Sequence, residues 1–275
     1  MYERLTWKFN DSWEIKERHS GKYGAPGEKR TKRKKPTPEQ MRENNQRNRI
    51  EKNRRLIKWN FIPEEDYWVT FTYRPDQRPK DRKQAQKIME NFRKCLHRRF
   101  DKAETEMKWI CITEIGSKGA VHHHMIINRI PGLDIMLAKM WKYGHVSIKL
   151  LYKEGDFQGL AEYLCKESRV SRSRNMIEED PEIKPMKRGT WPEEIKVPKG
   201  FYLDKDSVRE GVNLFGFKYR HYIIRKIESG ENCGKCGNLH RSRQKGTRSN
   251  RKVRGVSPGN DESRKDVPGR GRNKK

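Results

Sequence analysis

Apolar residues are scarce in this chain, and they form no long runs. Only 32% of its 275 residues are hydrophobic, whereas 37% are charged. A packed core must therefore occupy a minority of the chain, and the apolar residues concentrate between about Trp59 and Phe157, with a second group from Phe201 to Ile227. No apolar run approaches the roughly 20 residues that a membrane-spanning helix needs, and the first residues lack the apolar segment of a secretory signal. We therefore expect no association with a membrane.

Acidic residues are too few to balance the basic ones. The chain has 37 Asp and Glu against 65 Lys and Arg, which gives a formal net charge of +28. This surplus predicts a polyanionic partner, most simply a nucleic acid bound through its phosphates. A ribosomal or membrane-surface role would fit the charge alone equally well.

Cysteine is also sparse. The five cysteines are an odd number and mostly isolated, which favours a reducing cytoplasm over a disulfide scaffold. Cys233, Cys236 and His240 offer three zinc ligands, but a complete site needs a fourth. The alternative is a glycine-rich turn in a flexible tail.

The two ends of the chain are predicted to be disordered, with one folded domain between them. Residues 1–35 are interpreted as a basic arm and residues 229–275 as a basic tail rich in Gly, Ser, Asn, Arg and Lys. The domain over residues 36–228 should open with a helix, because Thr37 and Gln40 can form a capping box.

The pattern of the central region predicts an α+β fold. Its order is strand 68–73, helix 80–100, strands 109–115 and 119–128, helix 133–141, strand 145–151 and helix 156–166. This order fits a ferredoxin-like or RRM-like antiparallel sheet with helices packed on one face and the other face open for a ligand. Residues 171–200 read as a loop, and residues 215–224 are expected to add an edge strand.

The strand over residues 119–128 contains three consecutive histidines. Strand side chains alternate between faces, so His122 and His124 project to one side and can chelate a divalent metal, while His123 points to the other side. The alternative is a histidine-rich strand packed on its neighbours. Glu114 lies across the turn on the partner strand and can supply an oxygen ligand, or it can be a surface residue near the turn. Two histidines and a carboxylate suit Mg²⁺ or Mn²⁺ acting on a phosphate oxygen.

Tyr163 and Lys166 stand three residues apart on the last helix and therefore share a face. A tyrosine hydroxyl that attacks phosphorus forms a phosphotyrosine, which conserves the energy of the broken DNA bond. The lysine can stabilise charge on the phosphate during the reaction. A Tyr-x-x-Lys pair on a helix is weak by itself, but it becomes specific after a metal-chelating strand in a basic protein.

Together, the strand 68–73, the histidine strand and the helix with Tyr163 and Lys166 resemble the three motifs of HUH endonucleases, and in detail the rolling-circle replication initiators of small plasmids and phages. The resemblance covers about residues 36–228. It implies that His122 and His124, with Glu114, bind the metal, that Tyr163 cleaves one DNA strand and keeps its 5′-phosphate, and that Lys166 assists.

The resemblance also implies partners. The substrate is expected to be single-stranded DNA at a replication origin, in a bacterial cytoplasm. No Walker-type phosphate-binding motif occurs, so the host must supply the helicase as well as the polymerase. Base stacking on the open sheet face is assigned to four strand aromatics, although such residues are more often core: Trp68, Phe71, Tyr73 and Trp109.

The position and number of the tyrosine separate the possible subfamilies. It follows the histidines here, as in replication initiators. Gly159 and Glu167 occupy the positions one helical turn before and after it, so the helix has a single nucleophile, and termination is expected to need a second protomer or another nucleophile. Two rivals stay open: a single-tyrosine transposase with the same core, and a non-catalytic RRM-like nucleic-acid-binding protein.

Overall fold

The computed structural model describes residues 1–21, 35–116, 119–152, 154–166, 169–186 and 191–227. Most of the predicted basic run before residue 35 and the whole tail from 229, with the three candidate zinc ligands, lie outside these residues. Within them, the strands are β1 (Tyr2–Lys8), β2 (Ser12–His19), β3 (Tyr67–Thr72), β4 (Trp109–Ile115), β5 (Val121–Ile127), β6 (Val146–Leu150), β7 (Ser171–Arg172), β8 (Glu182–Pro185), β9 (Phe201–Val212) and β10 (Lys218–Lys226). The helices are α1 (Pro38–Asn60), α2 (Arg82–Lys102), α3 (Leu133–Met140) and α4 (Gln158–Lys166).

The first of two five-stranded antiparallel sheets has the order β6-β3-β5-β4-β7. Its four longer strands follow the chain order β3, β4, β5, β6, so their spatial order is fourth, first, third, second. This is the arrangement of a ferredoxin-like sheet with its two crossover helices, α2 and α3. The predicted α+β class and antiparallel sheet are confirmed.

Helices cover both faces of this sheet, rather than the single face expected from the sequence. On one face, Phe92 of α2 and Leu137 of α3 belong to the same buried cluster as Phe71 and Met125. On the other face, α1 and α4 pack in a second cluster with Ile126. The reason lies in β5, whose residues 125–127 are all fully buried, because both sets of alternating side chains at its end are apolar. The expected open face is therefore largely occupied by protein.

The second sheet, of order β8-β1-β2-β10-β9, was not predicted. The expectation of a disordered arm over residues 1–35 was wrong for its first part, because β1 and β2 form a hairpin within this sheet. The segment expected at a sheet edge became β10, which lies between β2 and β9. The loop expected over 171–200 contains the short strands β7 and β8.

Buried charges explain why this sheet is hard to see in the sequence. Glu14 and Glu17 of β2 are almost completely buried, where an apolar alternation would be expected. The guanidinium of Arg220 on β10 donates to Glu17 Oε2 at 2.7 and 3.0 Å. Buried charges are tolerated when they are paired and hydrogen-bonded, and this partner lies 203 residues along the chain.

Helix α1 joins the two sheets through Arg54. Its buried guanidinium donates to the carboxylate of Glu14 on β2 and to that of Asp156, just before α4. Lys58, one turn further along α1, also bonds Asp156. Burial alone would raise the pKa of Glu14, but a hydrogen bond from His221 and the charge of Arg54 hold that pKa well below its usual range. Both carboxylates therefore stay ionised around the Arg54 side chain.

Helix α1 begins as predicted. The Thr37 hydroxyl accepts a hydrogen bond from the backbone N–H of Gln40 at 3.2 Å, and the Gln40 side chain accepts one from the Thr37 N–H at 3.0 Å. No helix in the described ranges has the length and apolar character of a membrane span.

Replacement of Glu14 tests the weight of this junction. Glu14→Gln leaves the buried Arg54 charge without its β2 partner and should lower the free energy of unfolding by about 3–5 kcal/mol. Glu3→Gln is the control, because it removes the partner of the solvent-exposed Arg18 and should cost less than about 1 kcal/mol. Urea unfolding of the two variants measures the difference, and equal losses would contradict a special role for the buried junction.

Candidate active site

The candidate site lies where β3, β5 and β4 run side by side. In their register, Glu114 of β4 is opposite His122 of β5, and Thr70 of β3 is opposite His124. Directly opposed residues in an antiparallel pair project from the same face. The four side chains therefore share one face of the sheet, and the predicted alternation of the histidines is confirmed.

His124 is held from three sides. Its Nδ1 lies 3.1 Å from the Thr70 hydroxyl, and its Nε2 lies 3.1 Å from Glu114 Oε2. The Trp68 ring stacks on the imidazole with 5.4 Å between ring centroids and an interplanar angle of 12°. These contacts fix the ring plane and direct Nε2 towards β4 and α4.

The charge states of this pair suit metal ligands. Burial lowers the pKa of His124, with Glu114 acting in the opposite direction. The pKa of Glu114 is also lowered, first by the hydrogen bond that it accepts from Tyr163 and then by His124. A neutral imidazole and an ionised carboxylate are the protonation states in which these groups bind a metal.

Helix α4 brings Tyr163 onto the same face. Its hydroxyl donates to Glu114 Oε2 at 2.5 Å and lies 2.8 Å from His124 Nε2. The Lys166 ammonium is 5.1 Å from the centroid of the Tyr163 ring. The apolar side of α4, with Leu160 and Leu164, packs in the cluster beneath. The structure thus assembles residues from three separate elements that the sequence singled out independently.

His122 takes a more distant position. Its ring centroid is 6.3 Å from that of His124, with the two rings inclined by 22°. In the part of the chain that the structure describes, no three His, Cys, Asp or Glu side chains are grouped closely enough to hold a metal ion. Glu114 and His124 instead bond each other and Tyr163. Metal binding by His122, His124 and Glu114 therefore stays a prediction.

His123 points to the opposite face and is fully buried. Its Nε2 lies 2.7 Å from the Tyr73 hydroxyl, and its Nδ1 lies 2.9 Å from the Thr113 hydroxyl. Burial lowers the pKa of His123 to about 3, so the ring is neutral. This central histidine is tied to both neighbouring strands and fixes the register that places His122 and His124.

The four aromatics assigned to base stacking separate into two groups. Phe71 and Tyr73 are buried in the core on the His123 side, where a base cannot reach them, so that assignment was wrong for both. Trp109 is half-buried on the same side, with the Arg93 guanidinium 4.0 Å from its ring centroid. Of the four, Trp68 lies at the candidate site, in contact with His124.

Sequence reasoning missed Thr70, which orients His124. The register of β3 against β5 places it there, and a sequence alone does not give the pairing register. The missed Tyr73–His123 hydrogen bond depends on the same register.

An antiparallel ferredoxin-like sheet with a tyrosine helix over its histidine strand defines the class of this fold. Residues 66–168 match a family of replication-associated proteins, described as the ORF2 type. This segment belongs to that family, which confirms the resemblance to replication initiators. It runs from just before β3 to just after α4 and contains all the predicted catalytic and metal-binding residues. Comparison with curated proteins and with solved structures gave no match.

The buried hydrogen bond of His123 gives a stability prediction. Tyr73→Phe leaves His123 Nε2 without its partner and should lower the free energy of unfolding by about 1–3 kcal/mol. The matched control is Tyr143→Phe, since Tyr143 packs against Tyr73 and its hydroxyl has no hydrogen bond to any described residue. That control should change stability by less than about 0.5 kcal/mol. A Tyr73→Phe protein as stable as wild type in urea would contradict the assignment.

Proposed function

We propose that this protein is a replication initiator that nicks one DNA strand at an origin and stays joined to the 5′ end through Tyr163. The observation that carries the proposal is the contact of the Tyr163 hydroxyl with Glu114 and His124. A nucleophile within hydrogen-bond reach of an acceptor that can take its proton is the arrangement that activates a hydroxyl group. The family match of residues 66–168 to replication-associated proteins supports the same conclusion.

The chemistry is a transfer of the phosphodiester from one oxygen to another. Tyr163 Oη forms a bond to phosphorus as the bond from phosphorus to the 3′-oxygen breaks. The tyrosine proton leaves towards Glu114 Oε2, which already accepts its hydrogen bond, and the departing 3′-oxygen becomes a hydroxyl group. Lys166 adds positive charge close to the Tyr163 ring, where it can stabilise the phosphate oxygens. The reverse reaction rejoins ends, because the phosphotyrosine retains the energy of the broken bond.

A divalent ion, Mg²⁺ or Mn²⁺, is proposed to bind His122, His124 and Glu114. The donor set fits such an ion, because His124 is neutral and uses Nδ1 for Thr70, so Nε2 remains for a metal, and Glu114 is ionised. Such an ion supplies Lewis-acid stabilisation of a phosphate oxygen. Glu114 and His124 would exchange their contact with each other for the ion, while Thr70 and Trp68 keep the imidazole in place.

The substrate is proposed to be single-stranded DNA at an origin, opened by a host helicase and extended by a host polymerase, in a plasmid or phage context. Trp68 is the aromatic available for stacking at the site. Because α4 carries a single tyrosine, a second protomer or another nucleophile would complete termination. A transposase with one tyrosine would share the first step, and only the target sequence distinguishes it from an initiator.

One prediction concerns the covalent intermediate. Incubation with Mn²⁺ and a labelled single strand from the element's own origin should give a label that migrates with the protein on a denaturing gel. Tyr163→Phe should abolish this adduct. The control Tyr152→Phe alters a tyrosine that is 59% exposed and outside the site, and it should leave the adduct unchanged. DNA that is bound but not cut under any metal would favour the RRM-like binding protein instead.

Another prediction concerns the metal. EDTA should abolish the adduct but not DNA binding, because phosphate contacts do not require the ion. His122→Ala or His124→Ala should weaken Mn²⁺ binding at least about tenfold, as measured by calorimetry without DNA. His97→Ala is the control, since His97 lies on the exposed side of α2 and pairs with Asp101. Equal Mn²⁺ affinity in all three variants would sink the proposed ligand set.

A further inference from the structure

A basic pocket lies beside α4, on the side where that helix ends. Its volume is about 460 Å³. We call it the α1–β7 pocket, because it is formed by one side of α1 and the chain from residue 169 into β7. It is lined by Arg49, Lys52, Asn53, Arg169, Val170, Ser171 and Arg172. Four of these seven side chains are basic and none is acidic.

The pocket is tied directly to the helix that carries Tyr163. Asn53, in the pocket wall, donates to Cys165 Sγ at 3.3 Å, and Gln46 of α1 donates to the Cys165 carbonyl at 3.0 Å. Cys165 is two residues beyond Tyr163. From there the chain carries cations at a spacing of three, Lys166, Arg169 and Arg172, which leads from the candidate nucleophile into the pocket.

A carboxylate of the protein already bridges two of these cations. Glu178 Oε1 lies 2.7 Å from the Lys52 ammonium, and Glu178 Oε2 lies 3.1 Å from the Arg172 guanidinium. The hydrogen bond from Lys52 lowers the pKa of Glu178, so the bridging group is an anion. The spacing of Lys52 and Arg172 therefore suits two oxygens of one anionic group, as in a phosphodiester. Arg169 makes no ion pair with any residue that the structure describes.

We propose that the α1–β7 pocket binds the sugar–phosphate backbone of the single strand that flanks the scissile phosphate, and that a phosphate displaces Glu178 from Lys52 and Arg172. The identity of the strand rests on the proposed function. Phosphate contacts of this kind position a strand without reading its sequence. The pocket would hold the strand in register with Tyr163, and Glu178 would set the affinity by competing with it.

A larger groove beside the second sheet is less suited to this role. Its volume is about 640 Å³, but its lining includes Glu17, Glu43 and Glu51. Lys16 and Arg220 in its wall are already paired with Glu51 and Glu17. The acidic wall and the internal pairs leave less positive charge for a polyanion than the α1–β7 pocket offers.

The test measures DNA binding separately from cleavage. All proteins carry Tyr163→Phe, EDTA is present, and the Kd for a labelled single strand is measured by fluorescence anisotropy at 50 and 200 mM salt. Arg169→Gln with Arg172→Gln removes two phosphate contacts. Each contact contributes about 0.7 to the logarithmic salt slope for a single strand, so the rise in Kd between the two salt concentrations should be about sevenfold smaller than in the parent. Lys87→Gln with Lys94→Gln on α2 removes the same charge from an exposed site and should leave the slope unchanged.

The competing carboxylate gives a prediction of opposite sign. Glu178→Gln should tighten binding by up to about fivefold, the equivalent of one exposed ion pair. Glu90→Gln is its matched control, since Glu90 also lies between two lysines, Lys87 and Lys94. It should leave the Kd nearly unchanged. Thermal unfolding checks that all variants are folded.

The outcomes separate the pocket from the nickase. A salt slope that falls equally in the pocket and α2 variants, or a Glu178→Gln protein that binds no tighter than Glu90→Gln, would overturn the pocket even if wild type forms the Tyr163 adduct. A slope that falls only in the pocket variants would support the pocket even if no adduct forms. Equal effects on a blunt duplex of the same sequence would overturn its assignment to single strands.

Discussion

The buried guanidinium of Arg54 is the interaction on which the arrangement of this protein depends. An unpaired charge at a site 3% exposed would cost several kcal/mol, so Glu14 and Asp156 must both reach it as the chain folds. One carboxylate belongs to the second sheet and the other to the turn before α4. The ion pairs therefore link the folding of β2 to the placement of the helix that carries Tyr163.

The turn that receives Arg54 is itself unusual. Asp156 and Phe157 both have positive φ, 53° and 62°, a left-handed conformation that costs a residue other than glycine about 1–2 kcal/mol. Arg54 and Lys58 hold the Asp156 side chain, and Phe157 is buried in the cluster beneath α4. These contacts offset the strain and set where α4 begins. The segment matched to the replication-associated family starts at residue 66, so the bracing of its tyrosine helix comes from residues outside it.

The parts of the structure that depend on local pattern were predictable. Strand β4 and the hairpin to β5 followed from β-branched residues and a turn, and period-two alternation placed His122 and His124 on one face. The second sheet did not follow, because Glu14 of β2 occupies a position where burial normally demands an apolar side chain. Its partner Arg54 lies 40 residues away, and no local pattern reveals such a pairing. Cross-strand register, which places Thr70 against His124, is missing from the sequence for the same reason.

The site is arranged so that its own groups satisfy one another. Tyr163 Oη, Glu114 Oε2 and His124 Nε2 lie within 3.1 Å of each other, and these are the atoms that a phosphate and its divalent ion would engage under the proposed function. Substrate binding would then replace existing polar contacts rather than order groups that point into solvent, which limits the conformational entropy lost on binding. Thr70 and Trp68 contact other parts of the imidazole and need not move. The same logic recurs at Glu178, where a protein carboxylate holds two cations at the spacing proposed for a phosphate.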